Sequence, residues 1–411
     1  MQKGEYHIVV TGIILNSKNE ILIWNTIRGS LMTFTQDYYN NLINEKFDLF
    51  TDEEIKVLTK NGILIEDNVV ELHNVLNRKQ ELKNSSSSSY TIALTQNCNA
   101  HCYYCYQSES VFENNRKLIK NDYDKIVDFI IKTKKDKVKI TWFGGEPLIR
   151  SDIITYISEK LINKNVNLES VIITNGLLLS SLDINTLKNK WKICEIQVTF
   201  DGLYQNHDKR KCFAFGKNNF EKIIEKLKEL LNNEIKVKVR INISKDNINE
   251  VNDIFDYFEN TFGNYKYFNY YYSYLTDDLN LHDYAFNKLE IEKINPRIYA
   301  RYMKHKKIIL PRNRRVYCGA QNINSFFIDI FGNIFRCEHD FWCTDKILTN
   351  IDKFDFEKFQ KSKNTILDQK CIRCVFLPIC QGGCIRNDFN ECPQFIDNVV
   401  GFLKQRKEGD K

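Results

Sequence analysis

The sequence predicts an α/β protein built around a partial TIM-type barrel, (β/α)6, with a small α+β module before it and a cysteine-rich segment after it. Three observations predict this class. Between residues 90 and 310, short β-branched runs alternate with amphipathic helical segments, a pattern typical of parallel strands joined by crossover helices. A serine run at 85–89 separates this region from residues 1–84, and cysteines are concentrated after residue 311.

The N-terminal region, residues 1–84, is predicted to form a winged-helix-like module. Its stretch "EILIWNTIRGSLMTF" places a turn signal between two β-type runs. Thr51 followed by Glu54 is a capping box, which predicts the start of a helix. The serines at 85–89 predict a flexible linker and a domain boundary.

The central region, residues 90–310, contains five clear strand patterns and a weaker sixth, too few to close an eight-stranded barrel. A partial barrel is therefore the predicted shape, and its ligands are expected at the carboxyl ends of the strands. In residues 311–411 the periodicity weakens, which predicts a domain organised by bound metal rather than by a large apolar core.

Composition excludes several classes of protein. With 43% hydrophobic and 13% aromatic residues, the chain should fold. The net charge of +6 comes from 59 basic and 53 acidic residues without a basic stripe, so we expect no nucleic-acid partner. No apolar run approaches about 18 residues and the start lacks a cleavage-site pattern, so we expect a cytoplasmic protein without a membrane partner. In that compartment, thirteen cysteines predict metal ligation rather than a disulfide framework.

Three cysteines follow the first strand pattern of the central region. Cys98, Cys102 and Cys105 are spaced CxxxCxxC. A structural zinc site takes four ligands, and His101, inside the same loop, is poorly placed to be the fourth. Three thiolates on one loop could instead hold three irons of a four-iron cluster and leave one iron open. From this motif alone, a zinc knuckle or chance spacing stays an alternative.

With Tyr104 before the last cysteine, the motif resembles the CxxxCxΦC signature of the radical S-adenosylmethionine (SAM) superfamily. The resemblance implies that the amino and carboxylate groups of SAM bind the open iron. It also implies that the reduced cluster cleaves SAM to a 5′-deoxyadenosyl radical, which abstracts hydrogen from the substrate. An electron donor such as flavodoxin or ferredoxin is implied as a partner.

Further strand-end motifs resemble the same superfamily and are implied to bind SAM. Gly144, Gly145, Glu146 and Pro147 match its GGEP element, where backbone and carboxylate receive the SAM ammonium. The other residues implied to lie near SAM are Thr174, Asn175, Thr199, Asp201 and Arg240.

One departure from the family pattern leaves a role open. Lys211 stands where the family has arginine, with Arg210 beside it and His207 and Asp208 just before. Because lysine and arginine are not equivalent carboxylate clamps, the residue that grips the SAM carboxylate is not fixed by sequence.

The cysteines after residue 311 resemble the SPASM domain, which binds two auxiliary four-iron clusters and would bring the total to three. The resemblance implies that one cluster, distal to the barrel, is held by Cys371, Cys374, Cys380 and Cys392. The proximal cluster would be held by Cys318, Cys337 and Cys384. Cys343 is either a fourth ligand of the proximal cluster or a partly buried free thiol. A zinc ribbon at residues 371–374 would leave five flanking cysteines unexplained, and Cys194 and Cys212 are expected to be ordinary small side chains.

The resemblance implies a substrate class, since SPASM-containing enzymes mostly modify peptides or proteins. The N-terminal module resembles the elements that bind a precursor's leader peptide by strand addition. A maturase that forms a thioether or carbon–carbon cross-link in a ribosomal precursor peptide is therefore the first hypothesis. An anaerobic sulfatase-maturing enzyme, with Glu338 as a hypothetical general base, is the second. A non-catalytic, metal-binding scaffold that recognises peptides is the third.

Overall fold

The structure is a computed structural model that describes residues 6–8, 12–16, 20–66, 77, 86–105, 120–276, 282–305, 318–363, 369–372, 374–380 and 382–384. Its strands are β1 (Tyr6–Ile8), β2 (Gly12–Asn16), β3 (Glu20–Asn25), β4 (Leu31–Thr35), β5 (Leu64–Glu66), β6 (Ser87–Ala93), β7 (Lys137–Phe143), β8 (Leu168–Thr174), β9 (Ile193–Phe200), β10 (Lys236–Ile243), β11 (Phe268–Tyr274), β12 (Ser325–Asp329), β13 (Asn333–Phe335) and β14 (Thr349–Asn350).

The helices lie between these strands and after the last of them. They are α1 (Gln36–Ile43), α2 (Asp52–Lys60), α3 (Lys120–Thr133), α4 (Ser151–Asn163), α5 (Tyr204–Lys211), α6 (Asn219–Asn232), α7 (Val251–Phe262), α8 (Lys288–His305), α9 (Phe356–Lys363), α10 (Gln369–Ile372) and α11 (Leu377–Cys380). Within the described part of the chain, no helix is long and apolar enough to cross a lipid bilayer.

Six parallel strands in chain order, β6 to β11, form the centre of the molecule. This arrangement confirms the predicted partial (β/α)6 barrel. The sheet continues beyond its first strand, because β12 pairs in parallel with β6 and is followed by antiparallel β13 and β14. The carboxyl ends of the six strands therefore lie at one edge, where the functional motifs were expected.

The two faces of these strands differ in polarity. In β9, Ile196, Val198 and Phe200 are fully buried, whereas Gln197 and Thr199 on the opposite face are half-buried. Phe200 packs edge-on against Phe258 of α7, with ring centroids 5.0 Å apart. Apolar packing against the helices thus holds the sheet, and the other face presents polar side chains to a ligand.

The serine run belongs partly to the barrel, which corrects the linker expected at 85–89. Strand β6 begins at Ser87, and Ser88 is fully buried. Ser89 Oγ lies 2.7 Å from Ser325 Oγ on β12. Small hydroxyl side chains fit between closely paired strands and bond each other there, so polarity alone was a poor guide to a linker.

Two compact units are present, residues 84–291 with 319–364, and residues 1–83 with 292–318 and 365–411. In the second unit, residues 21–64 have an apolar core of their own, formed by Ile21, Ile23, Phe34, Leu42, Phe47, Phe50, Leu58, Ile63 and Leu64. The predicted capping box is present, since Thr51 accepts from the Glu54 N–H and the Glu54 carboxylate accepts from the Thr51 N–H. A second cluster in this unit packs Trp24 of β3 against Met303 and Ile379.

Candidate active site

The cysteine loop, residues 94–105, follows β6 and is held by backbone hydrogen bonds on two sides. On the β7 side, the Gly145 N–H donates to Thr95 O at 2.7 Å and the Glu146 N–H donates to Asn97 O at 2.9 Å. On the side of the α5–α6 connection, the Ala214 N–H donates to Asn99 O at 2.9 Å. The loop is therefore fixed in place before any ligand binds.

Gly144 and Gly145 allow the close approach on the β7 side. Gly144 has a φ of +130°, which favours glycine, and a Cβ there would lie 2.5 Å from Thr95 O. A Cβ on Gly145 would lie 2.4 Å from the carbonyl oxygens of both Gln96 and Asn97. Backbone atoms cannot give way at such distances, so the glycine pair is required by the loop itself.

Glu146 links three elements at the carboxyl edge of the sheet. Its side chain is fully buried and accepts hydrogen bonds from the Thr174 hydroxyl at 2.7 Å, the Asn175 N–H at 2.9 Å and the Leu148 N–H at 3.1 Å. Burial raises the pKa of this carboxyl to about 7, against these hydrogen bonds, which lower it. The carboxylate thus already has three donors before it could receive a ligand ammonium.

A buried polar network lies behind the cysteine loop. The Tyr104 hydroxyl donates to Asp201 Oδ2 at 2.6 Å and accepts from Lys211 Nζ at 2.8 Å. Lys211 Nζ also pairs with Asp201 Oδ2 at 3.1 Å, and both side chains are less than 5% exposed. The Asn242 amide donates to both Tyr104 and Asp201 at 3.1 Å.

The pKa shifts in this network follow from burial and from the ion pair. Burial would raise the pKa of Asp201, but Lys211 overcomes this effect and leaves the pKa below its ordinary value. Burial would likewise lower the pKa of Lys211, and Asp201 raises it instead. Burial, followed by the Asp201 charge, raises the pKa of Tyr104 far above its usual range. Tyr104 therefore stays protonated and can donate to Asp201.

The two neighbouring cations of α5, Arg210 and Lys211, have different partner atoms. Lys211 points toward Tyr104 and Asp201, as described, whereas the Arg210 guanidinium binds Glu250 at 2.8 and 3.1 Å. Arg210 also donates to the carbonyl oxygens of Asp201 and Asp246. Of the two, only Lys211 contacts the residue Tyr104 of the cysteine loop.

The remaining strand-end residues lie on the same edge. Thr199 pairs in register with Arg240, and the Arg240 guanidinium donates to Asn242 Oδ1 at 3.0 Å and Ser273 Oγ at 3.2 Å. His207 is fully buried, accepts from the Asp201 N–H and has its pKa lowered to about 3, mainly by burial. The Asp208 carboxylate accepts from the Asn219 and Phe220 N–H groups at the start of α6.

Comparison with known proteins finds a family that matches the sequence of this region. The model of the Radical SAM superfamily matches residues 92–258, which include the cysteine loop and the ends of strands β6 to β10. Residues 92–258 are a radical SAM domain. The chain is accordingly an enzyme with a radical SAM domain, and the family of that domain uses SAM and a four-iron cluster as cofactors.

Individual relatives extend the match beyond the radical SAM domain. The chain is 23% identical over 329 residues to a cysteine-type anaerobic sulfatase-maturating enzyme of Clostridium novyi, covering 71% of this chain and 86% of that one. It is 29% identical over 174 residues to a GTP 3′,8-cyclase of Helicobacter pylori, covering 41% and 51%. The solved structure of anSMEcpe with bound AdoMet and Kp18Cys peptide aligns with a TM-score of 0.59 at 15% identity, covering 77% and 96%. At this identity the structural likeness shows the fold.

The three thiols of the radical SAM domain are a donor set of the kind that a four-iron cluster with one open iron would take. Among the residues described, no three His, Cys, Asp or Glu side chains converge on one ion. A four-iron cluster binds each cysteine through a different iron, so Cys98, Cys102 and Cys105 need not converge. All three are half-buried thiols, and His101 beside them is exposed. Burial raises the pKa of Cys102 to about 11, and coordination to iron would remove that proton.

The later cysteines fall in both compact units. Cys337 and Cys343 are half-buried thiols that flank a short turn, in which buried Trp342 has a φ of +71°. In the other unit Cys371, Cys374 and Cys380 are half-buried, while Cys318 and Cys384 are exposed. Cys392 lies outside the described residues. The assignment of these cysteines to two clusters stays a prediction.

Glu338 contacts the thiol beside it. The Cys337 thiol donates to Glu338 Oε2 at 3.8 Å. A base role for Glu338 also stays a prediction.

Sequence reasoning missed two asparagines of this site. Asn247 donates to the carbonyl oxygens of both Asp201 and Asn242 at 2.8 Å, which closes the buried network. Asn99, between Cys98 and Cys102 in sequence, is only 5% exposed. The signal available in the sequence was an amide side chain at a strand or loop end, where it commonly bonds backbone groups.

Proposed function

We propose that this radical SAM enzyme is a peptide maturase, which oxidises a ribosomal precursor peptide and forms a thioether or carbon–carbon cross-link in it. The observation that carries the proposal is a three-thiol loop at the open edge of the barrel, in a chain that also has an α+β module with its own core. The first feature supports radical chemistry, and the second supports recognition of a large substrate.

The chain's own residues have distinct tasks in this proposal. Cys98, Cys102 and Cys105 hold the SAM cluster, and when bound the reduced cluster and SAM together supply a hydrogen-abstracting radical. Gly144 and Gly145 keep the loop against the β7 end. The SAM-binding set is completed by Tyr104, Glu146, Pro147, Thr174, Asn175, Thr199, Asp201, Lys211 and Arg240.

The two cations of that set differ in how free they are to bind the SAM carboxylate. The Lys211 ammonium is neutralised by Asp201, so the Arg240 guanidinium is the better candidate to grip the SAM carboxylate. Arg240 is half-buried and donates to the neutral oxygens of Asn242 and Ser273. A carboxylate is a stronger acceptor than either of these oxygens.

Peptides are the substrate class that the comparisons favour. A relative that matches over 86% of its own length is named a sulfatase-maturating enzyme, and the structural neighbour anSMEcpe was solved with a bound peptide. Both descriptions belong to those proteins. They support, for this chain, a barrel whose polar face accepts a peptide segment.

The N-terminal module supplies an edge for a leader peptide. Among the residues described, β4 pairs with β3 alone in the sheet β2–β3–β4. Thr33 and Thr35 of β4 are exposed, while Phe34 between them is buried in the module core. An extended peptide could add to this edge through main-chain hydrogen bonds.

The auxiliary clusters complete the proposal. Cys318, Cys337 and Cys384, with Cys343 as a possible fourth ligand, hold the proximal cluster in the predicted assignment. Cys371, Cys374, Cys380 and Cys392 hold the distal one. Each cluster could accept an electron from the oxidised substrate, and flavodoxin or ferredoxin would supply the electron that starts turnover.

Mass spectrometry tests the proposal. The full chain is coexpressed anaerobically with a small peptide encoded by a neighbouring gene, and the peptide mass is measured. We expect the loss of two hydrogens per cross-link, absent when a Cys102→Ala variant replaces the enzyme. An unchanged peptide mass, with 5′-deoxyadenosine still produced, would rule out that peptide class and keep only the radical SAM activity.

Formylglycine formation is the second candidate, favoured by the sulfatase-maturating relative. Glu338, next to Cys337, would then act as the general base. Incubation with a CxPxR-type peptide distinguishes the two functions, because this reaction would give an aldehyde at the cysteine. An aldehyde that disappears in Glu338→Gln would favour sulfatase maturation over cross-linking.

A further inference from the structure

The side-chain amide of Asn175 has a fixed orientation beside the cysteine loop. Its Oδ1 accepts from the Leu177 N–H at 3.1 Å, so its Nδ2 faces the loop. Nδ2 donates to Asn99 Oδ1 at 2.7 Å and to Cys98 Sγ at 3.7 Å. One N–H···S hydrogen bond to an expected cluster ligand is therefore already present.

The orientation of Asn99 follows from that of Asn175. Because Asn99 Oδ1 receives the Asn175 N–H, its own Nδ2 points the other way. Exchanging the oxygen and nitrogen of Asn99 would place two N–H donors face to face. Asn99 Nδ2 is buried, and among the residues described it has no hydrogen-bond partner.

A buried donor without an acceptor is costly, by about 1–3 kcal/mol. The two acceptor groups of Asn99 are bonded, since its Oδ1 accepts from Asn175 Nδ2 and its backbone carbonyl accepts from the Ala214 N–H. Only the side-chain N–H group is left without a partner among the residues described. Asn99 follows Cys98 directly. The acceptor that this donor lacks is then not among the described residues, and a group that binds at the cysteines would supply it.

We infer that Asn99 and Asn175 form an amide relay whose N–H groups donate to sulfur atoms of the SAM cluster and raise its reduction potential. This inference rests on the proposed function in one respect, that Cys98, Cys102 and Cys105 hold a four-iron cluster. N–H···S hydrogen bonds stabilise the reduced cluster, which carries one more negative charge. Both asparagines are positioning residues, and neither needs to touch the peptide.

An EPR-monitored redox titration of the reconstituted full chain tests the relay without any peptide. The SAM cluster is identified as the signal that shifts when SAM is added. Asn99→Leu keeps a similar side-chain volume and removes the unpartnered N–H, while Asn175 keeps its bond to Cys98. We expect the ratio of reduced to oxidised cluster at a fixed potential to fall about tenfold, equivalent to about 59 mV for one electron.

Two further variants make the result decisive. Asn99→Ala should lower the potential in the same direction. Asn189→Leu is the matched control, because Asn189 is exposed and its amide bonds only Asn185 within the described residues, and its potential should equal that of wild type. Iron content and SAM affinity are measured for every variant.

Several outcomes would overturn the relay. An unchanged potential in both Asn99 variants at full iron content would refute it. Unchanged potential with weakened SAM binding would assign the N–H to SAM, and loss of cluster iron from both variants would assign Asn99 to folding alone. If wild type shows no SAM-responsive signal, the cluster itself is absent and the proposed function fails before any variant is compared.

Discussion

Asp201 and Lys211 are charged side chains that the fold buries beside the cysteine loop. Each is tolerated because the other neutralises it and because Tyr104 and Asn242 satisfy the remaining hydrogen bonds. Such a pair adds little net stability, yet removing one partner leaves an uncompensated charge.

We therefore predict that Lys211→Met lowers the apparent free energy of unfolding by roughly 3–5 kcal/mol. Urea unfolding followed by tryptophan fluorescence under argon measures the change. Lys209→Met, at an exposed position on the same helix, is the control and should change stability by less than about 0.5 kcal/mol. Equal effects of the two variants would contradict the buried ion pair.

The raised pKa of Glu146 leads to a second prediction at the scale of one residue. Burial raises its pKa from 4.5 to about 7, so between these values the folded protein holds a proton that the unfolded chain has lost. The free energy of unfolding therefore includes this contribution in full below the pKa of the unfolded chain, 4.5, and loses it as the pH rises through the pKa of the folded protein, about 7. The loss should amount to about 3 kcal/mol.

The measurement compares Glu146→Gln with wild type in urea at pH 5, 6, 7 and 8. Since glutamine does not titrate, the variant should gain stability relative to wild type as the pH rises to about 7 and then stay level. Glu159→Gln, at an exposed position, should run parallel to wild type. A difference that is independent of pH would show that Glu146 is ionised in the folded protein throughout.

At the scale of elements, the end of β7 and the cysteine loop are bonded directly to each other. Three backbone hydrogen bonds join them, and the glycine pair permits their approach. The loop's geometry is thus set by a strand whose nearest residue, Lys137, lies 32 positions beyond Cys105 in sequence, which is why the two motifs work together.

Gly145→Ala tests this coupling. The added Cβ would lie 2.4 Å from two carbonyl oxygens, so the loop must move and the three thiols lose their spacing. We predict at least a tenfold weaker binding of SAM, measured by calorimetry on the anaerobically reconstituted protein. Gly263→Ala, whose Cβ would meet Glu259 O at 2.5 Å far along the chain at the end of α7, should leave SAM affinity unchanged.

At the scale of the whole molecule, most of the thirteen cysteines are predicted to serve separate sites. Three four-iron clusters would contain about twelve irons. If the sites are independent, damage to one should leave the others filled.

Cys102→Ala should therefore lower the bound iron to about eight per chain and abolish 5′-deoxyadenosine production. Iron analysis and chromatography of the nucleoside products provide the two readouts. Cys194→Ala is the matched control, because Cys194 Sγ bonds only the Ser170 carbonyl among the residues described, and it should keep all iron and activity. Loss of all iron in Cys102→Ala would contradict independent clusters.

The sequence by itself determined the parts of this protein that depend on neighbours along the chain. The spacing of Cys98, Cys102 and Cys105, the capping box at Thr51 and the alternation of strands with helices are all local patterns. The alternation was sufficient to predict the partial barrel, since strand order and crossover direction follow simple rules. The cysteine spacing predicted the radical SAM domain through its resemblance to that superfamily.

Only the tertiary structure decided which distant residues meet. Lys211 and Arg210 are adjacent on a helix, where successive side chains point about 100° apart, and only the fold shows that Lys211 meets Tyr104 while Arg210 meets Glu250. Likewise Asn99 and Asn175 are 76 positions apart. Contacts of this kind depend on how elements distant in sequence pack together in the fold, and no local spacing encodes that packing.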